Sequence, residues 1–184
     1  MRTARICLAG AVAAAMVGVL AAPAAAAPTD TTTTTFEVLA GTLDIDAPAT
    51  ADLGSGAPGG TITGQLGAVT VTDSRAGSDA SWTASVTATV FQTGTSSPPE
   101  TVLPEEINYW SGPATSTAGT GSFTPGQLTA GDAAPLSSTT PLTAFTHGGG
   151  TGGNTAAWNP TLVVNVPLDS IAGVYTGTVT HSVA

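Results

Sequence analysis

Alternation of apolar and polar side chains dominates this chain. Trp82, Ala84, Val86, Ala88 and Val90 fall on one face, and Thr83, Ser85, Thr87 and Thr89 on the other. A period of two belongs to a strand with one buried and one solvated side. Val69–Phe91 therefore reads as two strands joined by a polar turn. Near the C-terminal end, Tyr175, Gly177, Val179, His181 and Val183 alternate in the same way with Thr176, Thr178, Thr180 and Ser182. Runs rich in Thr, Val and aromatic residues, bounded by Gly, Pro, Ser and Asp, place the remaining strands. The full set is Phe36–Ala40, Thr42–Ala47, Gly67–Thr72, Ser81–Phe91, Glu105–Trp110, Leu142–Thr146, Thr161–Val166 and Val174–Val183. No stretch after residue 27 follows a helical period, so very little helix is expected.

Several short strands in one domain predict an all-β fold, a single two-sheet antiparallel β-sandwich of immunoglobulin-like or jelly-roll-like type. The inward positions give the expected core: Leu43, Ile45, Val69, Val71, Trp82, Val86, Val90, Ile107, Tyr109, Leu162, Val164, Val166, Val179 and Val183. Trp158 is in register with Leu162, Val164 and Val166, which places it at the core rim. Ser111–Pro141 and His147–Thr155 are rich in Gly, Ser, Thr and Pro and read as loops. Phe123 or Leu128 is available to anchor an extra short strand in the longer one.

Residues 1–27 carry the marks of a secretory signal peptide. Arg2 and Arg5 precede an apolar run from Ile6 to Leu20, and Ala21–Ala27 offers small-residue cleavage sites, best near Ala26. The uncharged run is short and Pro23 interrupts it, which disfavours an anchor, and no second apolar run follows; no membrane span is expected. Residues 28–35 form a Thr-rich flexible leader, and residues 36–184 the sandwich domain. The single cysteine, Cys7, lies in the signal segment, so the mature domain is expected to have neither a disulfide nor a thiol nucleophile.

The formal net charge is −9, and Arg75 is the only basic side chain after the signal segment, against twelve carboxylates. Nucleic acid and anionic lipid both require basic side chains at their phosphates, so neither is expected as a partner.

Asp73, Arg75 and Asp79 cluster around the turn before Trp82. Arg75 either sits between two carboxylates and fixes the hairpin, or anchors a carboxylate or phosphate ligand through its planar fork. His147 and His181 alone make no zinc site. Asp44 and Asp46 share a strand face, but a calcium ion needs more oxygens than theirs. Glu105 and Glu106 are strand neighbours on opposite faces and do not pair as acid and base. A nucleophile elbow and a phosphate-cradling loop are both missing from the sequence. No catalytic residue, cofactor or metal is expected, and the chain reads as a non-enzyme. Ile107 and Tyr109 share one parity, which turns Glu106, Asn108 and Trp110 outward unless the adjoining loop folds over the tryptophan. An outward Trp beside an amide suits a sugar surface, so Trp110, Asn108 and Arg75 are the ligand-binding candidates.

Three blocks then resemble the WxL domain of Gram-positive surface proteins. Gly41–Ile45 (GTLDI) followed by Leu53-Gly54 is similar to that family's opening strand and turn. Val69–Arg75 (VTVTDSR) followed by Ser81–Ala84 (SWTA) resembles its V-x-D-x-R and W-x-L core, and Val166-Pro167 with Gly173–Val183 its closing segment. Ala84 stands where the first triplet has leucine; His181 and Val183 stand for the tryptophan and leucine of the second. The resemblance assigns structural roles to Asp73, Arg75, Trp82, Tyr175, His181 and Val183. It implies a β-sandwich, export, and non-covalent attachment to the cell wall with peptidoglycan as ligand. The expected partner is a cell-wall polymer or an extracellular protein. The alternatives are an extracellular carbohydrate-binding module and a surface-fibre or adhesion module.

Overall fold

Glycine and proline cut the longer strands of this chain into short ones. The computed structural model describes residues 28–184, so the signal segment lies outside the described residues. Fourteen strands carry the fold. The first seven are β1 (Leu43–Asp46), β2 (Thr61–Gln65), β3 (Val69–Asp73), β4 (Trp82–Ala88), β5 (Phe91–Gln92), β6 (Thr101–Val102) and β7 (Ile107–Trp110). The rest are β8 (Ala114–Ala118), β9 (Ser122–Pro125), β10 (Ala134–Pro135), β11 (Leu142–Gly148), β12 (Asn154–Trp158), β13 (Thr161–Asn165) and β14 (Val179–Val183). Among the described residues, helix is limited to 3-10 turns at Pro98–Glu100, Pro104–Glu106 and Ala130–Asp132. All the ladders are antiparallel.

Hydrogen bonding orders the strands as β1-β3-β12-β8, β10-β7-β13-β2 and β14-β4-β11-β9, with β5 and β6 as a separate pair. The first two sheets continue one another. β2 leads into β3 through Leu66–Ala68, β12 into β13 through Asn159-Pro160, and β7 into β8 through Ser111–Pro113, in the same lateral order. Gly67 and Gly112 take φ of +95° and +72°, which a strand does not hold, and Pro160 has no N–H to give a ladder. The backbone stays satisfied across the break. Leu66 N–H donates to Pro160 O at 2.9 Å, and Gly67 N–H to Asn159 Oδ1 at 3.1 Å. These two sheets thus form one bent layer. β14-β4-β11-β9 forms the other, where Thr89 N–H donates to Thr178 O and carries the β4–β14 pairing past the end of β4. Phe145 of β11 stacks on Trp158 of β12 with ring centroids 4.9 Å apart and joins the layers.

The core holds Val69, Val71, Trp82, Val86, Ile107, Tyr109, Leu162 and Val164 buried, with Leu43, Ile45, Val166, Val179 and Val183 packed at its margin. Each large apolar side chain buried here stabilises by about 1.5–3 kcal/mol. Two assignments change. Val90 lies outside the core cluster and is half-buried. Trp158 is fully buried at the centre rather than at the rim, because Phe145 covers it from the opposite layer. Phe145 and Leu136 are core residues that strand parity had not marked.

Three other readings are corrected. β3 and β4 are not a hairpin: they lie in different layers, and residues 74–81 cross between them. Ser111–Pro141 is not one long loop but contains β8, β9 and β10, with Phe123 in β9. β8 (ATSTA) has no large apolar side chain and is mostly exposed. Its ladder with β12 holds it rather than burial, so hydropathy gives no sign of it. Phe36–Ala40 has no regular secondary structure and pairs with no strand among the described residues. The compact unit that contains all fourteen strands spans Glu37–Ala184.

Candidate functional site

Asp73 ends β3 on the same inward parity as Val69 and Val71, which buries a carboxylate at 1 % exposure. A charge taken that far from water needs partners. Arg75 supplies most of them. Its Nε donates to Asp73 Oδ1 at 2.9 Å, its Nη2 to Oδ2 at 2.8 Å, and its own backbone N–H to Oδ1 at 2.9 Å. The Arg75 hydrogen bond, more than any other contact, holds the Asp73 carboxyl below the usual range. Arg75 Nη2 also donates to Ser81 O at 2.9 Å, so the fork ties the end of β3 to the start of β4. Asn154 Nδ2 reaches Asp73 Oδ2 at 3.4 Å, and Asn154 Oδ1 accepts from Trp82 Nε1 at 2.8 Å. The D-x-R element and Trp82 are therefore one polar string running through both layers.

His147 closes the same end of the sandwich. Its ring stacks on Trp82 with centroids 5.8 Å apart and lies 4.5 Å from Phe123. Nδ1 is 2.8 Å from Ala80 O and Nε2 is 2.9 Å from Thr120 O, so the ring sits between the carbonyls of two loops, either of which one ring N–H can bond. Gly121, at φ +111°, is needed beside it: a Cβ there would fall 2.5 Å from His147 Nε2. Over this end runs an open groove of about 390 Å³, lined by Ser81, Thr83, Ser122, Thr124, Thr146 and the C-terminal Ala184 among others. Asp79 is occupied locally, accepting from the Ser81 backbone N–H at 3.0 Å.

Trp110 and Asn108 are placed elsewhere, on the outer face of the sheet β10-β7-β13-β2. Ile107 and Tyr109 are fully buried, while Asn108 and Trp110 are half-buried on the other side. The ladder puts Trp110 beside Thr161 and Gln65, and Asn108 beside Val163 and Thr63. With Thr61 and Asn165 in the next row, every outward position of β2, β7 and β13 is uncharged. The Trp110 indole N–H is shielded from solvent and has no hydrogen-bond partner. Arg75 is not part of this face; the structure does not bring the three ligand-binding candidates together.

His181 points into the core from β14. Its Nε2 lies 3.2 Å from Tyr109 Oη, and burial pushes its pKa down to about 4. The two triplets singled out in the sequence, Trp82–Ala84 and His181–Val183, lie on paired strands, with Val183 opposite Ala84. Tyr175 donates toward Pro99 O and Ile171 O, each at 2.9 Å, and so anchors the loop that leads to β14. Parity had located Tyr175 and His181, but these long-range partners left no sign in the sequence. Glu100 is a further organising residue. It accepts from Ser97 and Thr95 hydroxyls and backbone N–H groups, which hold its carboxyl down to about 2.

Among the described residues no three His, Cys, Asp or Glu side chains converge as a metal site. Asp44 and Asp46 lie exposed on one face of β1, and Glu105 and Glu106 are exposed within a 3-10 turn. No helix of the described residues is long and apolar enough to cross a membrane. Comparison with known protein families, curated proteins and solved structures gives no match to this chain.

Proposed function

We propose that this chain is an exported, non-enzymatic module of the cell envelope that binds a cell-wall glycan, peptidoglycan foremost, without covalent attachment. The outer face of β2, β13 and β7 is the binding surface, with Trp110 at its edge and Asn108 and Gln65 as amide hydrogen-bonding groups. The uncharged outward side chains Gln65, Thr63, Asn108 and Trp110 carry this reading, with Thr161 between Gln65 and Trp110 buried. A neutral, half-apolar face with one aromatic ring and several amides and hydroxyls complements pyranose rings, which present C–H faces and hydroxyl edges. Support for export comes from residues 1–27, and support for the wall as target comes from the likeness to the WxL domain. Arg75 has a structural part in this reading, since its fork already holds Asp73.

Co-sedimentation with purified peptidoglycan tests the proposal. The wild-type domain is expected to pellet with the wall and a Trp110→Ala variant to stay in the supernatant with its fold intact. Equal retention of the two would move the site off this face. Failure of wild-type retention under all conditions would remove the wall as ligand.

A further inference from the structure

Phe36–Ala40 (FEVLA) has the apolar, Val- and aromatic-containing composition of a strand, yet belongs to no sheet. Phe36, Val38 and Leu39 are 88 %, 71 % and 77 % exposed. No backbone hydrogen bond pairs the segment with a strand among the described residues. An unpaired segment with large apolar side chains open to water can gain main-chain partners and burial by pairing with a sheet edge of another chain.

The same chain carries a sheet edge of matching length. β2 ends its sheet, pairs only with β13, and is five residues long. The other edges are different: β1 lies against β14 and β8 against β9 where the layers meet, and β10 has two residues. The stretch from Ala47 to Gly60 makes no backbone hydrogen bond to β2. Apolar side chains flank that edge. Leu53 lies against Gly64 and Leu168 against Gly59, and Leu168 is 83 % exposed.

We propose that Phe36–Ala40 is a donor strand that adds to the free side of β2 in a second copy of this chain. Main-chain hydrogen bonds then supply the attraction, and alternate side chains supply the selectivity. Phe36, Val38 and Ala40 extend the apolar side that Ile62 begins, next to Leu53 and Leu168, while Glu37 faces away. Reciprocal exchange closes a two-fold dimer.

The compact unit begins at Glu37, so a chain starting at Pro28 keeps all of it. Sedimentation velocity of that chain from micromolar to millimolar concentration is compared with a Phe36→Asp/Val38→Asp/Leu39→Asp variant. The wild type is expected to dimerise, and the variant to do so at least about tenfold more weakly, with an unchanged melting midpoint when dilute. A Leu39→Cys chain mixed with a Thr63→Cys chain should form a disulfide between copies, since both side chains then lie on the outward side of the strand pair and residues 28–184 contain no other cysteine. A wild type that stays monomeric at millimolar concentration overturns the proposal. So does a variant that associates as strongly, or a dimer that gives no such crosslink.

Discussion

Trp158 of β12 and Tyr109 of β7, from the two halves of the bent layer, are joined by a hydrogen bond in the middle of the core: the indole N–H donates to the phenol oxygen at 3.1 Å. With that oxygen accepting from the indole, the Tyr109 O–H is free to donate to His181 Nε2 across the layers at 3.2 Å. A buried hydroxyl with both roles filled carries little desolvation penalty. With Nε2 accepting that proton, the histidine is a neutral ring that carries its own proton on Nδ1. His181 is thus a titratable group kept uncharged inside the core.

Acid should therefore loosen the fold before the carboxylates titrate. His181 takes up a proton near pH 4 when folded, against 6.5 for its ordinary value. The unfolded chain binds that proton more readily. Stability from this group is full above pH 6.5, declines as pH falls toward 4, and is level below. Each pH unit in that window costs about 1.4 kcal/mol at most, and about 2 kcal/mol in total for a half-buried ring. Urea denaturation at several pH values in this window reads the decline. A His181→Phe variant should flatten it, and an unchanged slope would place its origin elsewhere.

The Asp73–Arg75 pair should respond asymmetrically to truncation. Arg75→Ala leaves a fully buried carboxylate with fewer partners, whereas Asp73→Asn leaves a guanidinium already 38 % exposed that turns to water. The first change is expected to cost about 2–4 kcal/mol, discounted for the exposure of Arg75, and the second less. Asp73 contributes stability above the ordinary carboxylate range, lost as pH falls through its lowered native value. Equilibrium denaturation of both variants at neutral pH measures the order; a larger loss for Asp73→Asn would contradict it.

How much of this was legible in the sequence follows from how each part is held. β4 and β14 alternate strictly because one face is packed, so hydropathy located Trp82, Val86 and Val183. β2 and β8 escaped because small or polar residues mostly fill them and Gly or Pro adjoins them, so ladders to remote strands hold them; β12 escaped because Asn154 and Ala156 give its inward face only one large side chain, Trp158. The D-x-R element and Trp82 were visible as types, but the Asn154 that joins them is 72 residues beyond Trp82. His147 was visible only as a histidine near a glycine run. Its partners are backbone carbonyls, which have no sequence signature.

The tryptophans should separate stability from binding. Trp82 is 3 % exposed and hydrogen-bonded, so Trp82→Ala is expected to cost about 3–5 kcal/mol. Trp110 carries a shielded N–H without a partner. Trp110→Phe removes that group and keeps a ring, so stability should stay level or rise by about 1 kcal/mol. Thermal denaturation of the two variants decides this, and a large loss for Trp110→Phe would mean that the indole N–H is bonded in solution.

Wall binding by so acidic a chain should follow an unusual salt trend. The net charge is −9, and Arg75, the one Lys or Arg among the described residues, is already committed to Asp73, so none of them offers a free guanidinium or ammonium to an anionic polymer. Like charges repel over a Debye length of about 8 Å at physiological salt. Attraction must come from contacts at van der Waals and hydrogen-bond range, which salt screens little, or from divalent cations bridging the two acidic surfaces. Added sodium chloride weakens only the repulsion. Retention on purified wall is therefore expected to hold or increase as salt rises, and millimolar calcium to strengthen it further. Calcium should do so without restoring the Trp110→Ala variant, because the bridging ion adds to the face and does not replace it. A steep loss of retention between low and physiological salt would mean that ion pairing drives binding, and the uncharged face would then not be the site.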